Sequence, residues 1–133
     1  MAGRVTGALL DTSVLIGGDG GVIELPPSAA ISVIALGELR AGVLLARDED
    51  ARRTRAARLD AVRAAFAPLP VDEGVALRYA EILAVARSQR RTAKATDLLI
   101  AATAAAHDRV LHTHDARQAE LARAAGVSTA SSP

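Results

Sequence analysis

Short apolar runs alternate with longer amphipathic stretches along this chain, and the alternation predicts strands that alternate with helices. Strands are predicted from the apolar runs at 5–10, 29–32, 67–71 and 109–113, the first of them buried, and an edge strand is predicted at 127–129. Helical patterns run from 32 to about 46, open again at 48, and recur at 72–89, 96–107 and 116–125. This order predicts an α/β fold: a single domain over 1–133, with a mostly parallel central sheet and helices on both faces.

The stretch 95–107, ATDLLIAATAAAH, predicts the most deeply buried helix. Thr96 is the predicted N-cap, and ten residues without a charge follow from Leu98 to His107, so this helix must be packed nearly all round. Asp97 opens it, and a buried carboxylate needs stabilisation. The helix N-terminus supplies part of that, and a bound cation would supply the rest. The alternative is that Asp97 only caps a turn at the surface.

Three other acids occupy comparable places along the chain. Asp11 and Asp115 each follow a predicted strand directly, and Glu38 lies on the apolar face of the helix after 29–32. In an α/β sheet, the carboxyl ends of the strands share one rim with the starts of the helices that follow. The four acids are therefore predicted to converge. Turn and cap roles for the aspartates, or a buried ion pair between Glu38 and an arginine, are the alternatives.

Four converging carboxylates without matching bases would repel one another, and a divalent cation removes that repulsion. Oxygen ligands favour Mg²⁺, with Mn²⁺ able to substitute, over zinc. One or two such ions can activate a water for in-line attack on a phosphodiester. His112 and His114 lie beside the fourth acid, but packed or solvated histidines are the favoured interpretation for both.

Composition removes several classes of function. Half of the 133 residues are apolar, yet the chain has one Phe and one Tyr, which argues against domains that stack bases on aromatic side chains. The absence of cysteine excludes disulfides, thiolate metal sites and a cysteine nucleophile. The net charge of +1 gives no global attraction to nucleic acid. Asp11 interrupts the first apolar run, so no signal peptide or membrane span is predicted and a cytoplasmic location is expected.

Two of the predicted helices have faces that composition alone does not assign. The helix opening at 48 is predicted to turn Leu59, Val62 and Phe66 inward and to carry an arginine face, made of Arg52, Arg53, Arg55, Arg58 and Arg63. That face is either solvated or docks a protein partner or RNA. The helix at 72–89 is predicted to bury Val75, Leu77, Ala80, Ile82, Leu83 and Val85.

Four segments taken together resemble a known family. They are LLDTSVLI at 9–16, ISVIALGELRAG at 31–42, ATDLLIAATA at 95–104 and LHTHD at 111–115. In this order they resemble PIN-domain ribonucleases, and above all the VapC-type toxins of bacterial toxin–antitoxin pairs. The resemblance implies a PIN-like fold and a Mg²⁺-dependent endoribonuclease, the toxin of a type II toxin–antitoxin system, that hydrolyses RNA phosphodiesters at single-stranded positions.

The resemblance also assigns residues and partners. Asp11, Glu38 and Asp97 match the three core acids of the family, and Asp115 matches its more variable fourth acid. Thr113 matches a hydroxyl often found near them, whereas the aromatic residue common after the fourth acid is Ala116 here. Family members usually form homodimers and are held inactive by an antitoxin that can place an arginine in the acidic site. RNA, an antitoxin and a second copy are therefore the expected partners, and no membrane is expected.

Other acidic families fit less well. A haloacid-dehalogenase phosphatase needs a second Asp two residues after the first, where Ser13 stands, and a receiver domain needs a lysine after a late strand, whereas Lys94 precedes the helix of Asp97. A catalytically inactive PIN-fold module that acts through protein or RNA contacts is the remaining alternative. The four intact acids count against it.

Overall fold

Strands and helices alternate along the chain as predicted. A computed structural model describes residues 7–16 and 28–130. The elements are β1 (Ala8–Leu10), α1 (Thr12–Ile16), β2 (Ile31–Ser32), α2 (Val33–Leu44), α3 (Glu49–Ala65), β3 (Pro68–Leu69), α4 (Glu73–Ser88), α5 (Ala95–Ala106), β4 (Val110–His112), α6 (Ala116–Ala124) and β5 (Thr129–Ala130). The glycine-rich segment GGDGG at 17–21, for which the sequence predicts a loop, lies outside the described residues, as do the first two residues of the predicted strand at 5–10.

The paired strands of the described chain are parallel. Strand β4 pairs with β1 on one side and with β5 on the other, and β2 pairs with β3. A parallel bridge between Leu9 and Ala30 joins β1 to the residue before β2. The order across the molecule is therefore β3-β2-β1-β4-β5, and the carboxyl ends of these strands meet at one rim.

Helices cover both faces of this sheet, and each face has its own cluster of buried side chains. Leu9 belongs to the cluster formed with α4, α5 and α6, whereas Ala8 and Leu10 belong to the one formed with α1, α2 and α3. Successive strand residues point to opposite faces, so β1 contributes to both clusters. Helix α5 is buried at Leu98 and at every residue from 100 to 104, as its uncharged sequence predicts.

Four helices begin at a side-chain cap, but α5 does not. The caps accept hydrogen bonds from backbone N–H groups in the first turns of α2, α3, α4 and α6, and they are Ser32, Asp48, Asp72 and Asp115. Helix α5 begins at Ala95 after Lys94, which makes no side-chain cap bond. The prediction that Thr96 caps this helix is wrong, because the Leu98 N–H already bonds to the Lys94 carbonyl and Thr96 lies inside the first turn.

The buried face of α4 is narrower than predicted. Val75 and Ile82 are buried, but Leu77 is 62% exposed and Ala80 is exposed as well, so the prediction is wrong for both. Two residues along an α-helix correspond to a rotation of about 200°, which places Leu77 on the side away from Val75. Helix α3 does bury Leu59 and Val62, as predicted.

Several strands differ from their predicted bounds. Strand β3 covers two residues of the predicted five, and β5 begins two residues later than predicted. Within the described ranges, no helix has both the length and the apolar character needed to cross a bilayer.

Candidate active site

Asp11 directly follows β1 and is buried at the rim, with 4% of its surface exposed. Its backbone N–H donates to the His112 carbonyl at 2.9 Å, so the end of β1 is joined to the end of β4. Its Oδ2 accepts hydrogen bonds from Ser13 Oγ at 2.6 Å and from Thr113 Oγ1 at 2.9 Å. The Asp11 carboxylate is therefore buried but held by two hydroxyl donors, which fixes its orientation.

The same two hydroxyls connect the segments that follow β1 and β4. Ser13 Oγ and Thr113 Oγ1 lie 3.3 Å apart. Ser13 Oγ accepts from the His114 N–H at 3.0 Å, and Thr113 Oγ1 accepts from the Asp115 N–H at 3.0 Å. The predicted hydroxyl near the acids is thus present at Thr113. Ser13 was not predicted, although its place two residues after Asp11 was a usable signal.

Glu38 enters the rim from α2, where it is partly buried. Its Oε1 accepts a hydrogen bond from Thr12 Oγ1 at 2.6 Å, and Thr12 is the residue after Asp11. The ion pairs formed among the described residues do not include Glu38. A buried ion pair with an arginine therefore does not explain the position of Glu38. Its carboxylate is bound instead by a neutral hydroxyl, that of Thr12.

Asp97 lies in the first turn of α5 and is partly buried. Its pKa is raised from 3.8 to about 6, chiefly by burial and then by the charges of Asp11, Glu38 and Asp115, in that order. The Lys94 charge acts in the opposite direction. Because each of the other three acids affects Asp97, the structure brings the four predicted acids into one electrostatic cluster.

Asp115 is the N-cap of α6 and is exposed. Its Oδ1 accepts from the backbone N–H groups of Arg117 at 2.9 Å and Gln118 at 3.2 Å. The cap role that was left open for an acid after a strand therefore applies to Asp115, in addition to its place beside Asp97.

Gln118 joins the two helices that carry Asp97 and Asp115. It is 5% exposed, and its Nε2 donates to the Asp97 carbonyl at 3.2 Å. Its Oε1 is buried without a hydrogen-bond partner within the described part of the chain. Sequence reasoning missed this residue, because a polar side chain on α6 gives no local sign that it contacts α5.

The two histidines beside the site are placed as predicted. His112 is partly buried in β4, and burial lowers its pKa, so its neutral form is favoured. His114 is exposed. One histidine is thus packed and the other is solvated.

The donor set suits a hard cation, although a ready-made metal site is not formed. Carboxylate and hydroxyl oxygens are ligands that Mg²⁺ accepts, and a cation would relieve the repulsion that raises the Asp97 pKa. Across residues 7–16 and 28–130, however, no group of three or more histidine and acidic side chains is arranged to hold a metal ion. Metal binding by Asp11, Glu38, Asp97 and Asp115 stays a prediction.

Comparison with known proteins identifies the family. The family model of the PIN domain matches residues 8–124, a range that contains all four acids. This chain belongs to the PIN-domain family. Ribonuclease VapC8 of Mycobacterium tuberculosis is 43% identical over 106 residues, which cover 77% of this PIN-domain chain and 94% of that relative. Ribonuclease VapC5 of the same species is 40% identical over 124 residues, which cover 90% of each chain.

A solved structure agrees with this assignment. The crystal structure of VapBC-5 from Mycobacterium tuberculosis, a member of the VapBC family of toxin-antitoxin systems, superposes with a TM-score of 0.81 at 36% identity. The match covers 92% of this PIN-domain chain and 96% of that chain. The predicted PIN-like fold and the predicted resemblance to VapC-type proteins are confirmed.

Proposed function

We propose that this PIN-domain protein is an endoribonuclease, the toxin of a type II toxin–antitoxin system, and that its activity depends on Mg²⁺. The observation that carries the proposal is the convergence of Asp11, Glu38, Asp97 and Asp115, expressed in the raised pKa of Asp97. The relatives named ribonucleases support it, because they align with most of the chain. Such a protein would meet its RNA substrate in the cytoplasm.

The four acids would act together at the site, and Asp11 would have a second role. Glu38, Asp97 and Asp115, together with Asp11, would hold the ion, and Mn²⁺ would be able to substitute for Mg²⁺. A bound ion of this kind polarises a phosphoryl oxygen and neutralises the charge that develops on it. Two hydroxyls bond to the Oδ2 of Asp11 and hold its carboxylate in place, and Asp11 would orient the attacking water. In-line attack by water leaves a 3′-hydroxyl and a 5′-phosphate, and the ribose 2′-hydroxyl takes no part.

The test is digestion of a structured RNA with and without EDTA, followed by analysis of the product ends. Cleavage should require the metal and leave 5′-phosphates. The control variant replaces both His112 and His114 by Ala, which should reduce the rate far less than Asp97→Asn does. Cleavage that survives EDTA and leaves a 2′,3′-cyclic phosphate would instead indicate a metal-free mechanism and overturn the proposal.

An antitoxin and a second copy of this chain are the proposed protein partners. A cleft of about 380 Å³ is lined by Glu38 at the acidic site, by the exposed apolar Ile16, and by Arg55 and Arg58 of α3. This cleft suits an antitoxin segment that covers the acids. Co-expression with the neighbouring reading frame tests the pairing, and a frame that encodes no co-purifying small protein contradicts it. Light scattering of the purified toxin tests the homodimer.

A second candidate is a PIN-fold binding module without turnover. One observation favours it: within the described residues, the acids are not arranged as a metal-holding group. This candidate predicts that metal-loaded protein, free of antitoxin, binds RNA but cleaves none. Release of new RNA ends by the wild-type protein, but not by Asp97→Asn, would exclude it.

A further inference from the structure

A cleft with basic residues opens directly beside the acidic site. It has a volume of about 540 Å³ and lies between the start of α5, the connection before it, and α6. Asp97 and Asp115 form part of its wall, and Arg91, Lys94 and Arg117 form another part. Cations therefore lie within one cleft's width of the carboxylates that the proposed function assigns to phosphodiester hydrolysis.

A second cleft continues from the first along the connection between α4 and α5. It has a volume of about 360 Å³, shares Arg91 with the first cleft, and adds Arg87 and Arg90. The residues that line it include no acid. Along the two clefts together, the wall thus changes from carboxylates at one end to arginines at the other.

The one acid on the wall that is not part of the proposed site is weakly engaged. Glu120 lies 3.5 Å from Arg91 Nη1, and both side chains are well exposed, at 58% and 38%. An exposed pair at this distance contributes little and exchanges readily with solvent or with another anion. Arg91 therefore remains able to meet a phosphate.

We propose that these two clefts, here called the basic track, bind the single strand of RNA that flanks the scissile phosphate. The inference rests on the proposed function. A phosphate held at the four acids belongs to a chain, so its neighbours must lie on the surface next to the site. The basic track is a surface of the required charge. An acidic peptide could pair with the same cations. RNA is favoured because the proposed substrate must reach both these cations and the acids Asp97 and Asp115, which would hydrolyse it.

The basic track would contact the phosphate backbone of the RNA strand and not its bases. The residues lining both clefts include no aromatic side chain, so stacking of bases is not available there. Contacts from arginine and lysine to phosphates fix the position of a strand without selecting its sequence. Binding along the track should therefore tolerate any sequence and weaken with salt.

The experiment measures binding separately from cleavage. The protein carries Asp11→Asn, which the proposed function expects to prevent turnover and which lies outside both clefts. The probe is a fluorescein-labelled 12-nucleotide single-stranded RNA of mixed sequence. Anisotropy titrations between 50 and 200 mM salt compare Arg90→Gln, Lys94→Gln and Arg117→Gln with the triple variant. Arg123→Gln on α6 and Arg78→Gln on α4 are matched controls, because both arginines lie outside the track.

Each track variant should weaken binding about 3- to 10-fold, and each lost phosphate contact should reduce the slope of log Kd against log salt by about 0.7. The triple variant should raise Kd more than 30-fold, whereas the two controls should leave affinity and slope unchanged. An unchanged slope in the triple variant, or equal losses in the controls, would overturn the inference. So would a 12-residue polyglutamate peptide that displaces the RNA at lower concentration than unlabelled RNA does.

Cleavage assays with Mg²⁺, on protein that keeps Asp11, distinguish a failure of this inference from a failure of the proposed function. RNA cleavage with a KM that the triple variant does not change would overturn the basic track alone. RNA binding that depends on the track, without any cleavage, would overturn the ribonuclease and leave the track supported.

Discussion

Helices α5 and α6 each have an aspartate near the N-terminal end, at the same rim, but the two carboxylates are held differently. Asp115 caps α6 and accepts two backbone N–H groups, while its side chain is exposed. Asp97 lies in the first turn of an uncapped helix, and of the causes that act on its pKa only the Lys94 charge favours the ionised form. The fold itself therefore satisfies Asp115, whereas Asp97 is satisfied best by a proton or a cation.

The largest effect that follows from this comparison is on catalysis. Asp97→Asn should lower the rate of RNA cleavage about 100-fold or more, the scale on which a lost electrostatic group acts. Asp115→Asn should lower it less, because Asp115 is exposed and asparagine keeps the cap of α6. Single-turnover rates on one RNA measure both. Equal losses in the two variants would contradict the distinction between the two acids.

Metal binding is expected to depend more on Asp97 than on Asp115. Calorimetry with Mn²⁺ should detect binding to the wild-type protein and much weaker binding to Asp97→Asn. Bound metal should also raise the Tm, since a ligand at 100 times its Kd stabilises the folded state by about 2.7 kcal/mol. Asp115→Asn should retain most of this increase in Tm. Equal Mn²⁺ binding by wild type and Asp97→Asn would remove Asp97 from the site.

Without metal, the two positions should respond to substitution with opposite signs. Asp115→Ala removes the α6 cap and should cost about 1 kcal/mol of unfolding free energy, while Asp115→Asn should cost little. Asp97→Asn should leave the Tm unchanged or raise it, because it removes a carboxylate that three other acids repel. Thermal melts in EDTA measure all three variants. A fall of several degrees for Asp97→Asn would mean that its carboxylate is held by the fold.

The smallest predicted effect is on the pH dependence of stability. The folded pKa of Asp97, about 6, lies above its ordinary value of 3.8, so the folded state binds this proton more tightly than the unfolded state. The resulting stabilisation is complete below the unfolded pKa and is lost as the pH rises through about 6. Asp97→Asn has no such proton, so its Tm should gain on the wild-type Tm as the pH rises.

Because Asp97 is partly solvated, the corresponding gain in unfolding free energy of Asp97→Asn over wild type is discounted to about 1 kcal/mol or less. In a domain of this size that corresponds to roughly 3–5 °C at most. Melts of wild type and Asp97→Asn in EDTA, at intervals between about pH 4 and 7, measure it. A difference in Tm that stays constant over this range would contradict the raised pKa.

The positions of the acids could be predicted from sequence because each depends on local order. Asp11 follows an apolar strand, Asp97 precedes an uncharged helix, and parallel strands direct their carboxyl ends to one rim. The hydrogen bonds around the acids could not be predicted, since they join distant segments. Thr12 is 26 residues from Glu38, and Gln118 is 21 residues from the Asp97 carbonyl. No local sequence pattern indicates hydrogen bonds between residues so far apart in the chain.

The errors in the prediction have equally specific causes. Thr96 is a good cap by residue type, but residue type alone does not choose between neighbouring helix starts, and the Lys94 carbonyl decided this one. Leu77 is apolar, which favours an inward position, but the rotation of the helix carries it to the surface. In both cases the chemistry of the residue suggests one position and the geometry of the helix determines another.

The bond between Thr113 and Asp11 has a consequence for protein synthesis. Its two residues are 102 positions apart, and β1 finds its neighbour β4 only at Val110–His112. A ribosome therefore makes Asp11, Glu38 and Asp97 before it makes the strand that fixes the first of them. A growing chain cannot complete this acidic site until β4 and Thr113 have been made and can pair with β1. For a protein proposed to cut RNA, this order of synthesis delays activity until β4 is available.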